Sequence, residues 1–253
     1  MPNAFSVCIV IPCYNEENEL KNKVYDDFLT SGKDELLCFV DDGSSDATHQ
    51  ELLKLKAQFP NNVAVYQNPK NVGKAESVKN GINYCLDNYQ FDKIGYLDAD
   101  LATSLEEFCE ISDVVNDEIT FAFGSRILKL GSVIERKRFR FVTGRIIATV
   151  ISSILRIKVY DTQCGAKVMT RELAGEIFKD SFVSQWMFDV ELFIRIMAHY
   201  GKEEALKRML EIPLKSWIDK GDSKVKFSYF FKLWLDLLKI NGIYNKNQKK
   251  IER

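Results

Sequence analysis

An α/β fold with a mostly parallel sheet flanked by helices is the fold class that the sequence predicts, and three observations carry it. Short β-branched runs alternate with amphipathic segments through the first half of the chain, the pattern of strands joined by helical crossovers. The length of 253 residues suits one domain of this class. Each run also ends in a polar, turn-forming loop, and the carboxyl ends of the strands are where an open parallel sheet places its ligand.

In chain order, Val7–Ile11 is the first strand and Glu17–Leu29 the helix that follows it. Leu36–Val40 is the second strand; Ala47–Phe59 is the next helix, with Ser44, Ser45 and Asp46 as its capping cluster. Val63–Tyr66 leads to a helix over Lys74–Tyr89, whose Ala75, Val78, Ile82 and Cys85 share one face. Ile94–Leu97 and Ile119–Phe123 complete the five predicted strands, and Ser104 to Glu107 has the residues to open a helix between them. In the second half, Trp186–Ala198 reads as a helix ending before Gly201. Arg136–Lys158 and Phe227–Ile240 carry apolar stripes opposed by charge, as interfacial helices do.

With 46% hydrophobic and 28% charged residues and only five prolines, the composition excludes disordered and low-complexity chains. The net charge of −1 predicts no general affinity for nucleic acid, yet it conceals an asymmetry: residues 1–125 hold 9 basic and 22 acidic side chains, residues 126–253 hold 26 and 14. Such a split points to an anionic ligand or surface on the basic half. The six cysteines show no CxxC pair and no metal-ligand spacing, so free thiols are expected. Met1–Asn3 runs directly into a strand-like segment without a signal-peptide pattern, and Phe141–Ile157 is interrupted by Arg145 and Arg156. A cytoplasmic location without a spanning helix is therefore expected.

Four loops converge on one sheet edge: Pro12 to Glu17, Asp41 to Ser44, Asn68 to Lys74, and Asp98-Ala99-Asp100. Singly, each is ordinary turn chemistry; together they mark a site. Neither GxGxxG nor GxxxxGK[ST] occurs, which disfavours a dinucleotide fold and a Walker loop. Asp98 and Asp100 can share a hard cation, Mg²⁺ or Mn²⁺, with phosphate oxygens. Asp41 and Asp42 bring the number of carboxylates on that edge to four, a crowding that a cation or hydrogen-bond donors must offset.

These motifs resemble glycosyltransferase family 2, with its GT-A nucleotide-sugar-binding fold: Val10 to Glu17, Val40 to Asp46, Asn71-Val72-Gly73-Lys74 and Asp98-Ala99-Asp100, in matching order. Phe123 to Arg126, Asp161-Thr162-Gln163-Cys164-Gly165, Phe188 to Leu192 and Gly221 to Lys224 are similar to the dolichyl-phosphate β-glucosyltransferase branch, so the resemblance covers about residues 5–240. Ala166 departs from it, standing where the branch usually has an aromatic, and the N-terminal transmembrane anchor of its eukaryotic members has no counterpart in this sequence. The resemblance implies that Pro12, Tyr14, Asn15, Glu16, Asp41, Gly73, Lys74, Asp98 and Ala99 bind the nucleotide sugar, that Asp100 with Asp98 holds the metal, and that Asp189, Asp161, Arg126 and Lys224 serve catalysis. Residues 1–125 would then be the nucleotide-sugar-binding half and 126–253 the acceptor-binding, membrane-facing half of the same domain.

The expected reaction is inverting transfer of a hexose, glucose by preference, from a UDP-sugar to a polyprenyl phosphate, by a protein held peripherally on the cytoplasmic face of a membrane. A phosphate monoester brings its own anionic oxygen, whereas a hydroxyl acceptor on a glycan or a protein would require a base. For that rival the available bases are Asp161, Asp189 and Glu191, since His49 follows a helix cap and His199 ends a helix. Asp189 and Glu191, which flank Val190, read as groups that position the sugar, with a helix-surface ion pair to Arg195 as the structural alternative for Glu191. A non-catalytic nucleotide-sugar-binding module is the reading of another class, and the intact Asp98 and Asp100 speak against it.

Overall fold

The computed structural model describes residues 5–32, 34–135, 138–185, 187–218 and 242, with the side chains of 138–140 left aside. Lys224 and the Phe227–Ile240 helix expected above, along with Arg136, Lys137 and the lysines near the C-terminus, lie outside the described residues.

The first half alternates as expected: β1 (Phe5–Cys13), α1 (Glu17–Leu20), α2 (Val24–Thr30), β2 (Glu35–Asp41), α3 (Thr48–Gln58), β3 (Val63–Gln67), α4 (Lys74–Asn88), β4 (Phe91–Tyr96), α5 (Leu105–Asp113) and β5 (Phe121–Ser125). Then come β6 (Val133–Glu135), α6 (Arg138–Leu155), β7 (Lys167–Thr170), α7 (Arg171–Ile177), α8 (Phe188–Tyr200), α9 (Lys202–Arg208), β8 (Met209–Pro213) and β9 (Ser216–Ile218). One seven-stranded sheet runs β3-β2-β1-β4-β7-β5-β8, and β6 pairs with β9 in a separate two-stranded sheet. Val7–Ile11 is buried throughout. It belongs to a central strand paired on both sides, and its side chains enter both core clusters. That is why an unbroken apolar run, and not an alternating one, encodes it.

Two local expectations change. The helix expected over Glu17–Leu29 is two short helices, because α1 buries nothing while α2 turns Tyr25 and Phe28 into the core. The cluster at 44–46 does not supply the N-cap of α3, which is Ala47 without a side-chain hydrogen bond; Asp46 accepts instead from Thr48 N at 3.0 Å, and its other oxygen accepts from Glu17 N at 3.3 Å. Ser104 does cap α5, accepting from Glu107 N at 3.1 Å.

The departure that matters for function is β7, which runs antiparallel between β4 and β5. Reversed direction brings its start, and the residues 161–166 before it, to the edge where β4 and β5 end. Second-half residues therefore sit in the middle of the first-half sheet, and the two halves form one layer.

Helix α6 divides in two. Ile151 and Leu155 are buried and Ile147, Val150 and Ile154 pack against the core, so its second half covers the protein body. Its first half presents Phe141, Val142 and Ile146 to solvent, Ile146 at 60% exposure. Among the described residues, no helix is long and apolar enough to cross a membrane.

Candidate active site

The loops after β1 and β2 are fastened to each other before any ligand enters. Asn15, at φ +57°, donates its N–H to Ser44 Oγ at 3.0 Å and accepts from Ser45 N at 2.9 Å, and Glu16 N donates to Thr48 Oγ1 at 2.8 Å. A left-handed backbone is a strain that Asn tolerates better than most residues, and here it frees the amide oxygen for the neighbouring loop. Tyr14 projects outward at 40% exposure beside Pro12, which is half-buried.

Asp41 and Asp42 are both engaged by protein donors. Asp41 is fully buried, with Oδ1 accepting from Ser44 N at 2.9 Å and Oδ2 from Gln67 Nε2 at 3.1 Å, while His49 Nδ1 lies 3.2 Å from Oδ2. Asp42 accepts from Asn68 Nδ2 at 3.0 Å and from Val72 N and Gly73 N at 2.8 and 2.9 Å, and so shapes the loop before α4. Gly43 permits this approach: its φ is +66°, and a Cβ there would lie 2.7 Å from Asn71 N. The crowding of four carboxylates is thus relieved at Asp41 and Asp42 by hydrogen-bond donors, without a cation.

Asp98 and Asp100 stand on a tight turn past the end of β4. Leu101 N donates to Asp98 O at 3.1 Å, Ala102 N to Asp100 Oδ1 at 3.0 Å, and Leu101 takes φ +50°. Ala99 between them is buried, its carbonyl held by Tyr25 Oη at 3.0 Å. Gly165 lies against the turn, and a Cβ there would overlap the Asp98 carboxylate, so a larger residue at this point would have to displace that carboxylate.

Lys74, the first residue of α4, pairs its Nζ with Asp98 Oδ1. Partial burial works against its charge, but Asp98, Asp189 and Asp100 together hold its pKa above the ordinary lysine value. One ammonium therefore lies in the field of all three carboxylates. Gly73 caps this helix at φ +87°, its site closed by Gln185, whose Nε2 donates to Val72 O at 3.1 Å.

Asp189, in the first turn of α8, is fixed by two donors: Lys167 Nζ and Tyr96 Oη each lie 2.5 Å from Oδ1. Lys167 is fully buried and also donates to Cys164 O at 2.5 Å. Glu191, two residues on and so on the opposite side of α8, is fully buried with Arg195 at 2.8 Å and accepts from Val183 N at 2.9 Å. Its helix partner is the one anticipated, but the pair lies inside the protein and not on the helix surface. Arg195 continues to the carbonyls of Ile177, Asp180 and Ser181. Glu191 holds a loop and does not face the site.

Arg126, just past β5, grips Asp161 with Nε–Oδ2 at 2.6 Å and Nη2–Oδ1 at 2.8 Å, and its guanidinium lies 5.2 Å from the Trp217 ring centroid. Burial alone would raise the Asp161 pKa, but the Arg126 charge and hydrogen bonds, with the Arg126 and Gln163 amides, hold it well below the usual carboxylate range. The same partnership holds the Arg126 pKa up against burial. A carboxylate so stabilised keeps no proton near neutral pH and has little tendency to take one.

The structure thus brings together Lys74, Asp98, Asp100 and Asp189, with the Arg126–Asp161 pair past β5 at the same sheet edge. Sequence reasoning assigned no role to Lys167, Tyr96 or Glu211, and of these Lys167 alone carried a signal: a lone lysine opening an apolar strand needs a partner.

The sequence model of Glycosyl transferase family 2 matches residues 8–178. A dolichyl-phosphate beta-glucosyltransferase of Trichomonas vaginalis is 30% identical across 94% of this chain and 72% of its own length, and the human dolichyl-phosphate beta-glucosyltransferase is 29% identical across 84% and 72%. Among solved structures, glucosyl-3-phosphoglycerate synthase from Mycobacterium tuberculosis, in complex with Mn²⁺, UDP and glucosyl-3-phosphoglycerate, superposes with a TM-score of 0.66, covering 94% of this chain and 80% of that one at 17% identity. At that identity the likeness is one of fold, the GT-A arrangement of sheet and helices.

Proposed function

The chain belongs to glycosyltransferase family 2, and from that premise we propose that it moves glucose, with inversion, from UDP-glucose to a polyprenyl phosphate of the dolichyl kind. The observation that carries this reading is the charge arrangement at the sheet edge: two half-exposed carboxylates, Asp98 and Asp100, with Lys74 between them and Asp189. The relatives named above support the sugar and the lipid.

Asp98 and Asp100 suit a hard divalent cation, and the ammonium of Lys74 already standing on Asp98 marks where positive charge is wanted. Among the described residues no three His, Cys, Asp or Glu side chains gather into a closed cage. The remaining ligands then come from diphosphate and water, the usual manner of Mg²⁺. When bound, Mg²⁺ or Mn²⁺ neutralises charge developing on the departing nucleoside diphosphate.

The protein's own groups do the rest. Pro12, Tyr14 and Glu16 line the nucleotide pocket, and Asn15, Asp41, Gly73 and the Ala99 backbone hold its shape. Lys74 steadies the diphosphate, Asp189 positions the sugar, and Arg126, braced by Asp161, faces the acceptor phosphate. An acceptor oxygen attacks the anomeric carbon, the bond to UDP breaks, and UDP leaves with the electron pair. No side chain takes a proton, in keeping with Asp161 and Glu191 being engaged by arginines.

Incubation of the protein with Mg²⁺, polyprenyl phosphate and a panel of nucleotide sugars, with mass spectrometry of the extracted lipids, tests the reading; absence of a hexosyl lipid phosphate defeats it. The pH profile separates the acceptors. The Asp161 pKa in the folded state lies below its unfolded value of about 3.9, so the stabilisation from its pairing is complete above that value and is lost progressively below it, as pH falls toward and through the lower folded-state pKa. Activity between pH 5 and 9 should instead rise with a midpoint near 6, the second pKa of a phosphate monoester. Asp161→Asn should lower the rate and keep that limb. Loss of the limb would identify a base and favour a hydroxyl acceptor.

Membrane contact falls to the exposed first half of α6, with Leu128 and Leu130 also outward, beside the basic sequence 136–140. Vesicles containing anionic lipid should co-sediment the protein at low salt and release it at high salt. Val142→Ser/Ile146→Ser should weaken that binding by about tenfold or more. Sedimentation indifferent to both would mark the face as solvent-exposed only.

A further inference from the structure

The grip of Asp161 on Arg126 is only as good as the placement of the turn that carries Asp161, which is buried but borders open space on the side it is entered from. A cavity of about 140 Å³, lined by Phe123, Ile157, Lys158, Val159, Phe193 and Glu211 among others, lies beside the segment leading into it. Polar anchors complete its hold there. Glu211 stands on β8 directly opposite Phe123 of β5. Its Oε1 accepts from Tyr160 N at 3.1 Å and from Asp161 N at 2.8 Å, and its Oε2 accepts from Tyr160 N at 2.9 Å. From the other side, Arg145 of α6 donates Nη1 to Tyr160 O at 2.8 Å, with its guanidinium 3.6 Å from the Tyr160 ring centroid.

We infer that Glu211 is a positioning residue for transfer: together with Arg145 it clamps the Tyr160–Asp161 turn, and through Asp161 it aims the Arg126 guanidinium at the acceptor. Glu211 touches neither Arg126 nor substrate in this arrangement. The inference rests on the placement of Arg126 on the acceptor side proposed above. A carboxylate suits the task because two adjacent amides point at one group, and charged acceptors bind amides more strongly than neutral ones. Since Oε1 alone is within reach of both amides, a glutamine oxygen can still serve both. Arg145 lies on the helix whose outer end is assigned to the membrane, so the clamp also ties that helix to the site.

The test is steady-state kinetics with UDP-glucose, Mg²⁺ and polyprenyl phosphate, accompanied by UDP binding and thermal melts, for the parent, Glu211→Leu, Glu211→Gln, Arg145→Met, Arg126→Ala and the Arg126→Ala/Glu211→Leu double variant. Glu211→Leu should lower kcat/KM for the acceptor by about 10- to 100-fold, the scale of a group misplaced by an ångström, with UDP affinity unchanged. Glu211→Gln should recover most of that loss, and Arg145→Met should show a smaller loss in the same direction. In the Arg126→Ala background, Glu211→Leu should cost less than about threefold, because groups that act as one unit are not additive. Full additivity, a matching loss of UDP affinity, or no loss in Glu211→Leu overturns the inference while leaving the function intact. An Arg126→Ala variant with parental kinetics removes its premise, and a parent that glucosylates no lipid phosphate overturns both readings.

Discussion

Asp100→Asn is expected to abolish measurable transfer while leaving the protein folded. The residue sits on the half-exposed turn past β4, where Oδ1 accepts from Ala102 N at 3.0 Å. Asparagine has the same shape, and its amide oxygen can keep that bond, so the turn survives. What disappears is one negative charge at the proposed cation and diphosphate site. Removing one preorganised electrostatic group from an active site costs about 10²–10³ in rate, and here it also weakens the cation that the group would hold. Surface substitutions usually stay within about 0.5 kcal/mol, so the thermal midpoint should move by no more than about 2 °C. Chelator added to the parent should produce the same loss, reversed by Mg²⁺ or Mn²⁺. Product formation and melts of both proteins, with and without chelator, provide the measurement; an Asp100→Asn protein fully active in chelator would end the metal assignment.

Lys167→Met is expected to be the most destabilising single change at the site. Lys167 is fully buried, 2.5 Å from both Asp189 Oδ1 and Cys164 O. Methionine fills similar space, yet it leaves a carboxylate in the interior without this cation and a carbonyl without this donor, with the Tyr96 hydroxyl the one donor left on Oδ1 among the described residues. Breaking one side of a buried ion pair costs about 3–5 kcal/mol, which for a chain of this size lowers the melting midpoint by on the order of 10 °C. Replacing both partners, as Lys167→Met/Asp189→Leu, should recover part of that stability, because apolar side chains of similar volume remove the desolvation penalty along with the attraction, while the Cys164 carbonyl and the Tyr96 hydroxyl lose their partners. The double variant should remain inactive if Asp189 positions the sugar. Thermal melts and a transfer assay on the two variants decide both points: a single variant melting within about 2 °C of the parent contradicts the energetic argument, and an active double variant contradicts the role of Asp189.

Most of the parallel sheet was legible because its strands are nearly continuous apolar runs, and each run ends in residues that do not belong in a core. Strand β7 was not legible. Lys167–Thr170 is four residues long, too short to show a period, and nothing local in a strand encodes whether it will run with or against its neighbours. The same holds for β9, whose Trp217 comes to lie by Arg126 from far along the chain. The break between α1 and α2 was hidden for another reason: local helix preference is continuous there, and only the depth of the core under Tyr25 and Phe28 separates the two.

The sequence by itself determined the family, the sheet edge on which the polar loops gather, and the residues that stand there, because hydrophobic patterning and turn chemistry are local and leave their mark residue by residue. Only the tertiary structure decided which of the carboxylates remain available. Asp42 is taken up by an asparagine and two amides, Asp161 by an arginine 35 residues away, and Asp189 by a lysine 22 residues away. Asp98 and Asp100 stay half-exposed, with Lys74 against Asp98. A carboxylate's charge is written in the sequence, but its hydration and its partner are set by which segments the fold brings within about 3 Å, and those segments meet only when β7 is inserted backwards between β4 and β5.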